Sequence, residues 1–512
     1  MKNRVINIFI YILIGLLGGF VFPPFNTYVL FSVVGIAVFL SYMLYGIEMS
    51  RNWKVAFGFA FGLSFLSNII SFSWMMRPFE FVGAGMIAPF IVGLFDLGWA
   101  IFVGIVGGAT FYMKEGKRYL GFALMYAFVE WVKSWIFTGF PWNPVSVIWS
   151  ESLPVMQVAS LIGSLGLSFF TVFVLSFPYL ILKKGKSVLK DKIFYFIILI
   201  VFFVLGFGWL RVEKYKNLGS VGKKVKLVNL NVLQEDKYNI GNLDTYIEFS
   251  KIGDRADIIV WSETSVPTDL FRDDFSMMKL MNLSSVIGAN IITGFNRIEF
   301  LGGRDFKAYN TMVAIDKDGI LDFYDKRHLV PFGEYIPLRF LIPFKKLTEG
   351  AVDFSKGSDS VKFDVAGLTL YPLICYEAIF SGLGLGRDVD FIVNISNDKW
   401  FASSGKYQHS AIVKFRAVEE GVPVIRVAND GISGVISPLG SFVDGKLTYK
   451  NGDTFYTNVL NSVGVLDINL MSRIEKTLFS KTGNLIMVLF LVFGLIYSFG
   501  IFNILILPKK YK

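Results

Sequence analysis

The sequence predicts a polytopic α-helical membrane bundle of about eight spans joined to one α/β domain. Three observations predict it. The chain is 54% hydrophobic and only 18% charged, where globular domains carry about 25% charged residues. The apolar residues lie in long runs at 1–210 and again at 484–507, with a stretch of ordinary soluble composition between them. Within that stretch, strand-like and helix-like segments alternate, as in layered α/β domains. The expected organisation is therefore a bundle of about seven spans at 1–210, a polar domain at 211–480, and a last span with its tail at 481–512.

The first run, Val5 to Phe22, follows Lys2 and Arg4. No small-x-small cleavage site follows it, and Phe22-Pro-Pro-Phe25 leads directly into more apolar sequence, so it reads as an uncleaved span. Further runs at 27–46, 54–76, 82–112, 119–137, 153–182 and 192–210 are each near or above the ~20 residues that cross a bilayer. The run 82–112 is long for one crossing and is compatible with a tilted span or with a span preceded by an interfacial helix. Lysines and arginines gather in every second loop (Arg51 and Lys54; Lys114, Lys117 and Arg118; Lys183 to Lys192) and at both ends of the chain. The positive-inside rule puts these in the cytoplasm, and seven crossings then put residues 211–480 on the far side, the periplasm of a bacterium. The net charge of +10 is thus a topology signal; no basic face interleaved with aromatics points to nucleic acid. Glu130 and Lys133, spaced i,i+3, are placed to pair on one helix face. Thr138-Gly-Phe-Pro-Trp142 closes the fifth span on the outer side, with aromatics suited to the headgroup belt.

In the polar domain, strands are expected at 225–231, 256–263, 290–294, 309–315, 368–374, 390–396, 423–428 and 433–437, and helices at 240–252 and 408–421. An Asp316-Lys-Asp-Gly319 turn is expected to lead into Phe323. Three strand ends or loops each deliver one reactive group. Ala256-Asp-Ile-Ile-Val-Trp-Ser-Glu263 delivers a carboxylate. Lys326 opens Lys-Arg-His-Leu-Val-Pro-Phe-Gly-Glu334. Leu368-Thr-Leu-Tyr-Pro-Leu-Ile-Cys375 delivers a thiol, the only cysteine in the chain, which excludes an intramolecular disulfide. Alone, each is an ordinary strand-end or buried residue. Together they supply a nucleophile, a base and a cation, the set that covalent acyl transfer needs when no histidine serves as base. Only His328 and His409 are present. No Cys/His cluster has metal-ligand spacing and no glycine-rich phosphate loop precedes a helix, so neither metal nor nucleotide cofactor is expected.

Trp261-Ser-Glu-Thr-Ser-Val-Pro267, Lys326 through Glu334-Tyr335, Cys375-Tyr-Glu377 and Ser396-Asn-Asp-Lys-Trp-Phe401 together resemble the nitrilase superfamily, with its Glu-Lys-Cys triad on an αββα sandwich. Joined to the spans, they look like its membrane-embedded branch, the apolipoprotein N-acyltransferases. Thr138 to Trp142, Gln408-His409 and Arg426-Val-Ala-Asn-Asp-Gly431 fit that branch as well. The resemblance implies that Cys375 takes an acyl chain from the sn-1 position of a phospholipid as a thioester. It implies that Glu263 is the base and that Lys326 holds the oxyanion. Glu334, Tyr376 and Glu377 would support the triad, and Trp142, Tyr238 and Trp400 would contact substrate. The acceptor would be the N-terminal amine of a diacylglyceryl-cysteine on a lipoprotein, and the enzyme a multi-pass protein of the bacterial inner membrane. The sequence departs from the family at Val228-Asn-Leu-Asn231, where Gln-Gly-Asn is common, at Tyr238 in place of a Trp, and at Ala402 in place of a Gly. Two other readings use the same residues differently: a membrane-anchored amidase acting on a small amide, and a transporter with a sensory ectodomain. Phe340-Leu-Ile-Pro-Phe344 is expected to dip toward lipid.

Overall fold

The computed structural model describes residues 2–303, 305–337, 353–358, 362–382, 388–449 and 454–500. The chain separates into two units. An apolar unit runs to Met76, resumes over Ala84–Glu213 and takes up the chain again from Lys481. A polar unit holds Lys214–Ser480 together with the short stretch Arg77–Gly83. The stretch expected to dip toward lipid, Phe340 to Phe344, lies outside the described residues.

In the apolar unit, five helical segments are long and apolar enough to cross a bilayer: Val29–Met49, Trp53–Ser71, Ala88–Phe111, Ala159–Lys190 and Lys192–Tyr215. The expected count of about eight also included three runs that form other helices. Arg4–Phe20 and Leu485–Phe499 are apolar but shorter. Glu115–Lys133 carries Glu115, Lys117, Arg118, Glu130 and Lys133 in its 19 residues. The long run 82–112 becomes one helix, Ala88–Phe111, preceded by the separate short helix Arg77–Phe81. The run 153–182 is broken: Gly163 adopts φ +73°, ψ 172° within Ala159–Leu175, a conformation open mainly to glycine. Helices Trp53–Ser71 and Ala88–Phe111 approach closely because Gly107 has no Cβ. A methyl there would lie 2.6 Å from the Ala56 carbonyl oxygen, as in small-residue packing between membrane helices.

Glu130 and Lys133 form no ion pair. Glu130 Oε1 instead accepts the Val145 backbone N–H at 2.8 Å, and the Lys133 ammonium lies 5.4 Å from the Trp99 ring centroid. A cavity of about 40 Å³ opens among Asn68, Ser71, Glu130, Lys133, Trp142 and Asn143. Glu130 Oε2 and Asn143 Oδ1 have no hydrogen-bond partner among the described residues.

The polar unit contains two sheets. The first is eight-stranded. Its central strands β1 (Ser220–Asn229), β2 (Ile258–Trp261) and β3 (Asn290–Gly302) are mutually parallel. β4 (Asp305–Asp316) and β5 (Gly319–Asp325) add antiparallel to β3. The second sheet begins with β6 (Phe363–Val365), antiparallel to β7 (Leu368–Ile374). β8 (Phe391–Asn397) and β9 (Val424–Asn429) then run parallel to β7, and β10 (Gly434–Ile436) closes the far edge. β11 (Gly445–Thr448), β12 (Thr454–Thr457) and β13 (Gly464–Met471) return to the first sheet, where β13 pairs with β1.

Alternation along the strands builds the layers. Leu227, Ile258 and Val260 of the first sheet share a core with Ile374, Phe391 and Ile425 of the second. The opposite face of the first sheet, through Ile259 and Trp261, packs on Tyr246 and Phe249 of helix Gly241–Ser250 and on Leu280 and Leu283 of helix Asp274–Ile287. The opposite face of the second, through Tyr371 and Ile392, packs on Val413 and Ala417 of helix Ser403–Glu420. The order of layers is helix, sheet, sheet, helix. At the β4–β5 turn, Asp316 Oδ1 accepts the Asp318 and Gly319 N–H groups at 2.8 and 3.1 Å. Helix Asp274–Ile287, the strands β11 to β13, and the lengths of β3 and β4 were not expected from the sequence.

Candidate active site

Two largely buried strands, β2 and β7, and the edge strand β5 stop in the same region, and each hands over one reactive side chain. Glu263 follows β2, in a bend where Thr264 takes φ +51°. Lys326 follows β5, and its backbone N–H donates to the Asn310 carbonyl at 2.8 Å. Cys375 follows β7 and itself sits at φ +50°, opening the 3-10 turn Cys375–Ile379. A left-handed conformation at a non-glycine residue is costly and clusters at functional positions. It turns the thiol out of the sheet's regular alternation.

All three are buried: Glu263 is 7% exposed, Lys326 1% and Cys375 6%. Burial without compensation would neutralise the charged groups, so their partners matter. Glu263 Oε1 accepts from Asn310 Nδ2 at 2.6 Å, and Oε2 from the Asn397 backbone N–H at 2.7 Å. Lys326 Nζ meets Glu334 Oε1 at 3.0 Å. Burial alone would pull this ammonium down, but Glu334, Cys375 and Glu263 outweigh it and hold it above the ordinary lysine value. Lys326 is thus a fixed positive charge at neutral pH. The Cys375 thiol is pushed up to about 12, first by burial and then by the Glu263 and Asp398 charges, with Lys326 opposing. The resting sulfur is therefore a thiol.

Glu334 and Glu377 each tie several chain segments together. Glu334 accepts from Asn310 Nδ2 at 3.0 Å and from the Val330 N–H at 2.8 Å, besides holding Lys326. Glu377 Oε1 accepts from Tyr324 Oη at 2.7 Å and from the Arg327 and His328 N–H groups at 2.9 and 3.0 Å. Its Oε2 accepts the Ile374 N–H at 2.8 Å, so Glu377 clamps the residue before the thiol to the segment that carries Lys326. Tyr376 packs between His328 and Phe380, with ring centroids 5.6 and 5.2 Å away.

The three residues expected to touch substrate fall in different surroundings. Tyr238 is exposed, and its hydroxyl accepts from Asn296 Nδ2 at 3.1 Å. Trp400 is partly buried and meets the edge of Phe81, with centroids 5.4 Å apart. Trp142 belongs to the apolar unit, where it is buried and stacked on Phe140 at 5.7 Å.

Sequence reasoning missed two groups in the site. Asn310, in the middle of β4, donates to both Glu263 and Glu334 and so sets the spacing of the two carboxylates. The half-buried Lys237 is a second lysine whose ammonium interacts with Glu263, Cys375 and Glu334. Burial lowers it, those three groups oppose the shift, and Lys326 reinforces it. Its loop is held near the site because Gln234 Oε1 accepts from Asn397 Nδ2 at 3.1 Å. An Asn inside a strand-like run and a Lys in a polar loop carry no local signal for such roles.

Comparison with known proteins bears on both units. Residues 14–177 match the family model described as apolipoprotein N-acyltransferase N-terminal domain, and residues 224–461 match the model described as carbon-nitrogen hydrolase. An apolipoprotein N-acyltransferase of Rickettsia prowazekii is 34% identical over 509 residues, covering 94% of this chain and 96% of that protein. One from Bradyrhizobium diazoefficiens is 32% identical, covering 81% and 77%. Among solved structures, a CN-hydrolase superfamily protein of Xanthomonas campestris aligns with a TM-score of 0.37 at 18% identity, covering 48% of this chain and 90% of that one. An amidase from Nesterenkonia sp. aligns with a TM-score of 0.36 at 17% identity, covering 49% and 91%.

Proposed function

This chain belongs to the apolipoprotein N-acyltransferase family, and from that premise we propose a two-step acyl transfer centred on Cys375. The enzyme N-acylates lipoproteins. In the first step the Cys375 sulfur attacks the sn-1 ester carbonyl of a phospholipid, and the thiol proton passes to Glu263. Lys326 stabilises the oxyanion that forms. The ester C–O bond then breaks, Glu263 returns the proton to the departing glyceryl oxygen, and a lysophospholipid leaves. In the second step the N-terminal amine of a diacylglyceryl-cysteine attacks the thioester. Glu263 takes the amine proton, sulfur departs and is reprotonated, and the amide product is a triacylated lipoprotein.

One observation supports this reading above the others: Glu263, Lys326 and Cys375 are all buried, and the charges of Glu263 and Lys326 both act on the Cys375 sulfur. A thiol held near 12 favours proton transfer coupled to attack rather than a standing thiolate, and a carboxylate fixed by two donors suits that task. The apolar helices fit the same chemistry. Acyl chains leave a bilayer reluctantly, at about 0.8 kcal/mol per buried CH₂, so an enzyme for them works where they lie. Tyr238, Trp400 and Trp142 are each assigned to substrate contact. The lysine and arginine pattern supports an inner-membrane protein with both termini in the cytoplasm and residues 211–480 in the periplasm.

The test is incubation of the purified protein with acyl-labelled phosphatidylethanolamine, followed by mass analysis of the Cys375 peptide. A fatty acyl adduct, labile to hydroxylamine and lost in Cys375→Ala, is the expected result. A small acyl adduct from an amide, with none from lipid, would move the protein to amidase chemistry.

A further inference from the structure

Three further charged or ionisable side chains lie fully buried beside the site and take no part in the chemistry described above. Asp398 follows β8, Arg426 lies in β9, and His409 lies in helix Ser403–Glu420; all three are 0% exposed. Arg426 Nη2 meets Asp398 Oδ2 at 2.6 Å and His409 Nδ1 at 3.2 Å. Arg426 also donates to Asn394 and, through Nε at 3.1 Å, to the Ile432 carbonyl. Asp398 Oδ1 lies 3.0 Å from His409 Nδ1 and accepts from Ser396 Oγ at 2.7 Å. Gly431 closes the cluster: a Cβ there would lie 2.4 Å from Asp398 Oδ2.

A buried ion pair gives little net stability over a well-packed apolar substitute, so its value must be sought in what it holds. Burial raises the Asp398 carboxyl, but Arg426 and His409 override it and keep it ionised. Burial and then Arg426 lower His409, so the imidazole is neutral. The cluster is therefore one aspartate–arginine pair bridged by a neutral ring. It reaches the reacting groups in three places. Asn397, the residue before Asp398, gives its N–H to Glu263 Oε2 at 2.7 Å. Ser396 hydrogen-bonds both Asp398 and the Cys375 side chain. His409 lies against the Cys375 backbone, where the chain is at φ +50°.

We propose that Asp398, clamped by Arg426 and His409, is a positioning residue that fixes the strand end Ser396–Asn397 and so sets the base Glu263 against the thiol of Cys375. The cluster touches neither acyl donor nor acceptor. It acts on the register between the two groups that exchange a proton, and this rests on the acyl-transfer reading above.

The experiment uses full-length protein in phospholipid vesicles. Asp398→Asn keeps the shape of the side chain and removes its charge. Expected is a fall of about 30- to 300-fold in the single-turnover rate of Cys375 acylation, the size that roughly 1 Å of misplacement brings. KM for phosphatidylethanolamine should stay within about threefold, the pattern of an interaction made only in the transition state. His409→Gln should fall by a smaller factor with the same split. A wild-type rate per folded molecule in Asp398→Asn, or a loss matched by the folded fraction measured by thermal melting, overturns the proposal. If Asp398→Asn does not fold, Ser396→Ala decides. It leaves the Arg426 pair intact, so a rate loss at unchanged KM supports the role and a wild-type rate overturns it. Wild-type protein is the control that separates the two claims. No acyl adduct on the wild type sinks acyl transfer itself, whereas equal adduct formation in wild type and variants sinks only the positioning role.

Discussion

Glu263 and Glu130 are both buried carboxylates, one in each unit, and they are treated differently. Glu263 has a donor on each oxygen, and its neighbours Glu334 and Glu377 are likewise bonded on both. Glu130 has one oxygen on the Val145 amide, while its other oxygen has no hydrogen-bond partner among the described residues. The same holds for Asn143 Oδ1 beside it and for Asp96 Oδ1 on the neighbouring helix Ala88–Phe111. A fully bonded network fixes geometry, and a partly bonded one leaves room for water. The cavity at Glu130, about 40 Å³, is large enough for more than one water at roughly 10–15 Å³ each. The contrast separates a site built to hold atoms in place from a polar interior that tolerates adjustment.

The sharpest way to break this contrast is at the base. Glu263→Gln should reduce acylation of Cys375 by about 10²- to 10⁴-fold, the usual worth of a positioned acid–base group. In the same variant, alkylation of Cys375 by iodoacetamide at pH 8 should become faster, because Glu263 is one of the charges that push the thiol up. Opposite signs in the two assays separate base catalysis from general damage; a fall in both counts against the assignment. In wild type, the alkylation rate should keep rising tenfold per pH unit with no plateau below about pH 11, since the thiol titrates near 12. The linkage follows the same direction. A thiol raised in the folded state adds stability below its ordinary value, and that contribution is lost as pH climbs toward 12.

Asn310→Ala comes next. It removes the donor shared by Glu263 and Glu334, and Glu263 Oε1, left bare while Glu334 keeps Lys326, costs about 1–3 kcal/mol as a buried unpaired acceptor. A lower melting temperature and a rate loss of about 10- to 100-fold are expected in melting and single-turnover assays. Lys237→Met should cost less, about 3- to 10-fold in acylation rate. It should also slow iodoacetamide alkylation, because a cation near the sulfur is lost. Smallest of all, Glu130→Gln should stay within about twofold of wild-type activity and shift the melting temperature by only a few degrees, since water can serve either side chain. A Glu130→Gln loss as large as that of Asn310→Ala would erase the distinction between the two regions.

Much of the site was legible in the sequence because two of its reactive residues, Glu263 and Cys375, end apolar runs. Ile-Ile-Val-Trp before Ser262-Glu263 and Leu-Tyr-Pro-Leu-Ile before Cys375 read as buried strands, and β2 and β7 are those strands. What was not legible depends on contacts distant in sequence. Asn310 reads as one polar residue in a strand, and its double role exists only once β4 lies between Glu263 and Glu334. β12 is a short outer strand at the sheet's edge, with Tyr456 85% exposed, so it lacks apolar alternation. Helix Asp274–Ile287 has a good cap, with Asp273 accepting the Ser276 backbone N–H at 3.3 Å and its hydroxyl at 2.6 Å. Its run Met277-Met-Lys-Leu-Met281 blurs the 3.6-residue period that would have announced it. The pairing of Glu130 with Lys133 failed for a similar reason. Spacing placed them on one face, but a backbone amide from the following loop took the carboxylate instead.

The proposed acyl transfer depends on the sole cysteine carrying the acyl group between two lipids. Intact mass of the Cys375 peptide, after exposure to phosphatidylethanolamine with a defined sn-1 chain and before any acceptor is added, tests it most directly. The account predicts an added mass equal to that chain as a thioester, which disappears when a diacylated lipopeptide amine is supplied. An unmodified thiol in protein that nevertheless transfers the chain to the lipopeptide would contradict it.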